Sequence, residues 1–230
     1  MNSSEKLEAV NQRIREACER SSRSFDEVTL VGVSKKKTAA DINELHSAGL
    51  INFAENYLQE ALEKIPSIPR SSMTYHFIGH LQSNKVKAVV ENFDLIHSVD
   101  RIKLARTINQ RASEIGKISN ILIQVNIAAE ESKSGFAPSE IHAQIEELNS
   151  LENLALCGLM SFPPLEEPEK SREYFKKSKS LFEEIKVKLK SSRKEVFNTL
   201  SMGTTSDFEV AIEEGSTMVR VGTALFGERS

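Results

Sequence analysis

The chain has 230 residues, of which 39% are hydrophobic and 27% charged, with a net charge of −3 at neutral pH. That balance leaves out the basic footprint of a nucleic-acid binder, and no apolar run approaches the roughly 18 residues a membrane-spanning helix needs. The N-terminus MNSSEKLEAV lacks the apolar core of a secretion signal, and Cys18 and Cys157 lack metal-ligand spacing, so a reducing cytoplasm is expected.

Residues 4–20 repeat Leu7, Val10, Ile14 and Cys18 on one stripe, which predicts an N-terminal helix within residues 1–22. Short apolar runs then alternate with amphipathic helices. The first strand is predicted at 28–34, and a helix opens behind the Thr38–Asp41 capping box and stops at Gly49. Strand two at 51–53 leads to a helix at 57–64, and strand three at 75–78 to a helix at 82–91. Strand four at 95–99 runs into Asp100, the expected cap of a helix whose Leu104, Ile108, Ala112 and Ile115 share a face. Strand five is NILIQVNI at 120–127, after which Pro138 opens a helix carrying Ile141, Ile145 and Leu148. Strand six at 154–161 is followed by the loop FPPLEEPEK at 162–170. A helix at about 168–190 comes next, with Phe175, Phe182, Ile185 and Leu189 on one stripe. Strand seven at 197–202, a short helix at 207–213 and strand eight at 218–223 complete the series.

Strands that alternate with covering helices, and that read as apolar runs, predict a parallel sheet buried on both faces. Eight such units predict an α/β fold, a single-domain (β/α)8 TIM barrel over residues 1–230 with an extra N-terminal helix. An open doubly wound sheet is the competitor; the barrel is preferred because it leaves no edge strand exposed.

Functional groups of such barrels sit at the C-terminal ends of the strands. There the sequence offers Ser34 and Lys35, Glu55 and Asn56, Gly79 and His80, Ser98 and Asp100, Asn126, Met160 and Ser161. The last two strands end in SMGTTSD and RVGT. These two segments combine glycine, hydroxyls and a helix start, which predicts a phosphate cradle; a pair of ordinary capped turns is the alternative.

The lysine run after strand one takes its meaning from that cradle. Side chains alternate along a strand, so Lys35 and Lys37 face one way and Lys36 the other. From the run alone a solvated charge cluster is the simpler reading. With a phosphate cradle across the barrel mouth, Lys35 becomes a candidate Schiff-base amine, because partial desolvation and a cationic neighbour favour its neutral, nucleophilic form. A lysine Schiff base combined with a phosphate cradle suits pyridoxal 5′-phosphate (PLP).

VGVSKKKT, FAENYLQE, HFIGHLQSNK, QVNIAAEESKSG, GLMSF, SMGTTSDFEVAI and STMVRVGTALFG resemble, in order, the motifs of the PLP-binding or PLP homeostasis protein family. The resemblance runs from about residue 28 to residue 227. It implies an alanine racemase-like barrel, PLP fold type III. It also implies that Lys35 carries the cofactor as an aldimine, that Asn56 lies beside the ring and that Arg220 faces the pyridine nitrogen. Ser201, Thr205, Gly222 and Thr223 would hold the phosphate. Thr204 and Thr205 stand where the family has methionine and serine, and Ala54 where it has glycine; the hydroxyl at 205 is kept.

An arginine cannot give up its proton, so a ring nitrogen facing Arg220 stays unprotonated and is a weaker electron sink. The sequence ends seven residues after Thr223, so the β-rich second domain that completes the racemases is not expected. His80 and Lys133 are the candidates for a second catalytic group, with Lys133 read first as a loop charge and second as a further cofactor-handling site. His46, His76, His97 and His142 are read as surface or packing residues. The expected function is a non-catalytic, monomeric PLP carrier in vitamin B6 homeostasis that serves apo PLP-dependent enzymes. An amino-acid racemase and a Schiff-base aldolase on a sugar phosphate are the alternatives.

Overall fold

The eight apolar runs form eight parallel strands: β1 (Thr29–Val33), β2 (Asn52–Glu55), β3 (Thr74–Phe77), β4 (Leu95–Val99), β5 (Ser119–Val125), β6 (Leu154–Ser161), β7 (Thr199–Thr204) and β8 (Met218–Val221). Each is bonded to the next, and β8 returns to β1 with Thr29 opposite Met218 and Gly32 opposite Val221. The barrel is therefore closed, and the open-sheet alternative falls. The structure, a computed structural model, describes residues 1–130, 133–164, 167–189 and 195–228. Part of the segment before Lys133, part of the expected loop at 162–170 and the expected helix end at residue 190 lie outside the described residues.

The helices are α1 (Ser3–Arg20), α2 (Ala39–Ser47), α3 (Leu58–Lys64), α4 (Val86–Asn92), α5 (Ile102–Glu114), α6 (Pro138–Ser150), α7 (Pro168–Lys188), α8 (Phe208–Glu213) and α9 (Thr223–Phe226). Alternation along the strands divides the core in two. Val31, Ala54, Leu95, Leu122, Met160 and Met218 form a small cluster inside the barrel. Their neighbours, such as Phe53, Tyr75, Ile96 and Ile121, join the helix faces in the larger outer cluster. Among the described residues no helix is long and apolar enough to cross a membrane.

α1 opens on the capping box of Asn2 and Glu5 and buries Leu7, Val10, Ile14, Ala17 and Cys18. It lies against α8 and α9, the helices that follow β7 and β8. Arg13 stacks 4.5 Å above the Phe208 ring and pairs with Glu209 at 3.1 Å. Arg23 Nη1 donates to the carbonyls of Ile212 at 2.8 Å and Ser216 at 2.7 Å, which fixes the turn before β8.

Several expectations are corrected. Asp100 does not cap α5; Arg101 takes that position without a side-chain cap. The Asp100 carboxylate instead pairs with Arg101 Nη1 and lies 3.6 Å from His80 Nδ1. Ile115 sits just past the helix end and is 47% exposed, so it is not part of the buried face. β2 starts one residue later than expected and runs on to Glu55, because that carboxylate is buried and partnered and so does not end the strand. His76 and His97 are packed inside the barrel as expected of packing residues, but they face each other, Nδ1 to Nε2, at 2.9 Å.

Ile14 is fully buried at the centre of the α1 contact. Ile14→Ala is expected to lower the unfolding free energy by about 2–5 kcal/mol in a urea titration, and a loss below about 1 kcal/mol would show α1 to be an accessory. The histidine pair gives a pH dependence. Burial pushes His76 down to about 4, and burial with His76 and Arg220 nearby pushes His97 well below its ordinary value of 6.5. The unfolded chain then binds protons that the folded one does not. Stability is full above about pH 6.5 and falls by up to about 1.4 kcal/mol per pH unit for each histidine as the pH drops below that value. Urea midpoints between pH 7 and 5 measure this, and a flat profile would contradict neutral, buried imidazoles.

Candidate functional site

A cleft of about 440 Å³ opens at the C-terminal end of the barrel, a size that suits a small molecule. One wall comes from the segments after β1 and β2 and carries Lys35, Lys37 and Asn56. The adjoining wall comes from the segments at the ends of β7 and β8 and carries Thr204, Thr205, Ser206, Gly222 and Thr223. Arg220 reaches the floor from β8, and Met160 and Phe162 from the end of β6. Six of the seven sequence-predicted residues are thus brought to one cleft.

Ser201 is the exception. It is fully buried and does not line the cleft. It points into the barrel from β7, where its Oγ accepts from Arg220 Nη1 at 2.7 Å. Arg220 Nη2 donates to the Ser161 carbonyl at 3.1 Å, and the guanidinium carbon lies 5.5 Å from the Phe162 ring centre. Burial lowers the Arg220 pKa to about 10, with Asp207 acting against it, so the group stays charged at neutral pH.

A chain of neutral groups backs that charge. Ser201 Oγ is 3.3 Å from His97 Nδ1, and His76 Nε2 is 3.3 Å from Asn52 Oδ1. An arginine only donates and the Asn52 oxygen only accepts, so the two ends agree on one direction. Ser201 donates to His97, His97 donates from Nε2 to His76, and His76 donates from Nε2 to Asn52.

The cradle loops are built from each other. Asp207 Oδ1 accepts from the Thr204 amide at 2.6 Å and from the Thr204 hydroxyl at 2.9 Å. Thr205 Oγ1 accepts from the Gly222 amide at 3.0 Å, which ties the β7 loop to the β8 loop. Gly203 has a φ of +90°, and a Cβ there would stand 2.6 Å from the Ala211 Cβ. Its small size therefore serves the contact with α8, not the approach of a ligand.

The lysine run divides as expected, but through a turn and not through strand alternation, because β1 ends at Val33 and Lys36 has a positive φ. Lys35 and Lys37 line the cleft and Lys36 does not. Lys37 Nζ donates to the carbonyls of Phe226 at 3.2 Å and Glu228 at 2.9 Å, which fastens the β1 turn to the C-terminal segment. Lys36 has a φ of +60°, and its amide donates to Glu60. Asn56 is placed by Gly79, where a Cβ would stand 1.8 Å from the Asn56 carbonyl oxygen. The Asn56 side-chain oxygen is buried with no hydrogen-bond partner.

Lys133 lies in a neighbouring depression with His80. It pairs with Glu130 at 3.1 Å and donates to the Pro163 carbonyl at 3.2 Å, as a loop charge does. His80 is held toward Asp100 and does not line the main cleft.

Residues to which sequence reasoning assigned no part in binding complete the site. His97 stands behind Ser201. Glu55, Glu60 and Lys64 lie beneath the Lys35 turn, where Lys64 Nζ bonds Glu55 at 2.8 Å and the Ser34 carbonyl at 2.9 Å. Burial raises the Glu55 carboxyl above its ordinary range although Lys64 and Ser34 bond to it. The sequence signal for this cluster is only the spacing of Glu60 and Lys64, which any solvated helix pair also has.

The chain matches the family described as alanine racemase, N-terminal domain, over residues 6–230. It is 42% identical over 230 residues to the pyridoxal phosphate homeostasis protein of Aquifex aeolicus (strain VF5), covering 100% of this chain and 99% of that one. The protein of the same name from Escherichia coli (strain K12) is 41% identical over 228 residues, 97% of this chain and 95% of that one. Among solved structures, PipY of Synechococcus elongatus PCC7942 with PLP bound has a TM-score of 0.83 at 33% identity, covering 98% of this chain and 100% of that one. An alanine racemase of Clostridium difficile 630 shares the fold, with a TM-score of 0.70 at 19% identity over 99% of this chain and 56% of that one. With similarity along the whole chain and the same closed barrel, this chain belongs to the pyridoxal phosphate homeostasis protein family.

Proposed function

We propose that the chain binds PLP in the cleft through Lys35 and acts as a carrier that holds and releases the cofactor without turning over a substrate. The observation that carries the reading is the pairing of a lysine on the β1 wall with a wall of hydroxyls and amides on β7 and β8. The residues fit the cofactor in kind. The buried Asn56 oxygen lacks a partner, the Gly222 amide donates to the Thr205 hydroxyl so that the two lie within reach of one anion, and Arg220 is a fixed donor at the floor.

When bound, PLP supplies an aldehyde that condenses reversibly with amines. Lys35 would hold it there, Thr205, Gly222 and Thr223 would hold the phosphate, Arg220 would donate to the ring nitrogen and Asn56 would lie beside the ring. Ser201 contributes through Arg220. Held by Ser201 and Ser161, Arg220 keeps its proton and offers none to the ring, which weakens the electron withdrawal that turnover needs.

Racemisation needs an acid or base on each face of a substrate. Among the described residues, the titratable groups lining the cleft are Lys35, Lys37 and Arg220. Lys37 is bonded to two carbonyls, which supports the non-catalytic reading. On this reading the carrier acts as a monomer, with apo PLP-dependent enzymes as recipients.

The test is transfer. Full-length protein loaded with PLP, freed of excess cofactor and mixed with an apo PLP-dependent enzyme is expected to restore that enzyme's activity, while racemising neither alanine nor serine. Racemisation abolished by Lys35→Ala would replace the carrier with a racemase, and borohydride trapping of a sugar phosphate on Lys35 without PLP would replace it with an aldolase. Thr223→Val removes one hydrogen bond to a charged group, and an absorbance titration is expected to show PLP binding weakened about tenfold. An unchanged Kd would take Thr223 out of the cradle.

A further inference from the structure

The turn that carries Lys35 is held from both sides by one cluster of side chains from β2 and α3. Lys64 Nζ donates to the Ser34 carbonyl at 2.9 Å, to Glu55 Oε1 at 2.8 Å and to Glu60 Oε1. The same Glu60 oxygen accepts from the Lys36 amide. The Ser34 hydroxyl donates to Glu55 Oε1 at 2.7 Å. An ammonium group has three donors, and here all three are used. One of them, and the Glu60 oxygen, go to the two peptide groups on either side of Lys35.

Stability of the barrel does not account for this cluster. Glu55 is fully buried and Lys64 is 8% exposed. Such a pair often contributes no more than an apolar replacement of similar volume, because both charges lose water. A methionine at 64 would fill the same space but could not bond the Ser34 carbonyl. Lys36, with its φ of +60°, is in the left-handed region that a side chain adopts at a cost, and the Glu60 contact is on that residue's amide.

We propose that Lys64 and Glu60 are positioning residues: they clamp the β1 turn so that Lys35, and not Lys36, is presented to the cleft. The clamp makes a run of three chemically equal lysines unequal. What it presents Lys35 to rests on the reading of the cleft as a PLP site, but the clamp itself is measured without cofactor.

The measurement is amide hydrogen exchange on the full chain, comparing wild type with Lys64→Met, Lys64→Arg and Glu60→Ala. Lys64→Met is expected to speed exchange of the Lys36 and Lys37 amides about tenfold while the β5 strand keeps its protection, and Lys64→Arg to restore part of the loss. Glu60 lies at the surface side of the cluster, so Glu60→Ala carries the same expectation if Lys64→Met does not fold. No change at those amides, or a rise spread equally over the barrel strands, overturns the proposal. Labelling with PLP and borohydride separates the two readings. Faster exchange with wild-type label absent from Lys35 keeps the clamp and removes the cofactor reading. Unchanged exchange with label on Lys35 in every variant removes the clamp and keeps the cofactor reading.

Discussion

Arg220 brings a permanent positive charge to a position that is 3% exposed, and the site is organised around keeping it there. Removing a charge from water costs several kcal/mol unless good hydrogen bonds replace the lost solvent. β6 supplies the Ser161 carbonyl and β7 the Ser201 hydroxyl, so the guanidinium ties three adjacent strands together. Ser201 can accept from Arg220 because its own proton goes to His97, and His97 in turn is kept neutral by burial and by the charge next to it. A polar chain thus runs down the inside of an otherwise apolar barrel and ends at Asn52.

With the floor fixed, the two walls are set by different means. The β7–β8 wall is a lattice of small polar groups, where Asp207 holds Thr204 and Thr205 holds the Gly222 amide, braced from outside by α1. The β1–β2 wall is held by charge, through Lys64, Glu55 and Glu60 below and Lys37 at the C-terminal side. A rigid wall of donors and a clamped lysine fit a ligand with an anionic end and an electrophilic end. Besides Lys35, the titratable groups among the described lining residues are Lys37, bonded to two carbonyls, and Arg220, bonded to Ser201 and the Ser161 carbonyl.

The alternation of apolar runs with helical stripes was enough to count the strands, because runs this short between amphipathic helices suit strands buried on both faces, and the eightfold count led to closure. Strand ends were less legible where a polar residue is buried: Glu55 extends β2, and Asp100 turns to Arg101 and His80 instead of capping α5. Lys35, Asn56 and Arg220 could be placed because each lies at or just beyond the last residues of a strand, and topology alone brings such positions to one rim. Ser201 was misplaced for the same reason. β7 runs on to Thr204, so Ser201 lies three residues inside the strand, and its partner His97 is 104 residues away in sequence. Lys64 was invisible because pattern cannot tell a buried helical lysine from a solvated one when both sit four residues after a glutamate.

The most direct measurement is peptide mapping by mass spectrometry of the wild-type protein after incubation with PLP and borohydride reduction. A single pyridoxyl phosphate adduct on Lys35 is the predicted result, and it would identify the end of β1 as the cofactor anchor. An adduct spread over Lys36, Lys37 and surface lysines, or no adduct at all, would contradict the account and return the SKKKT segment to a solvated charge run.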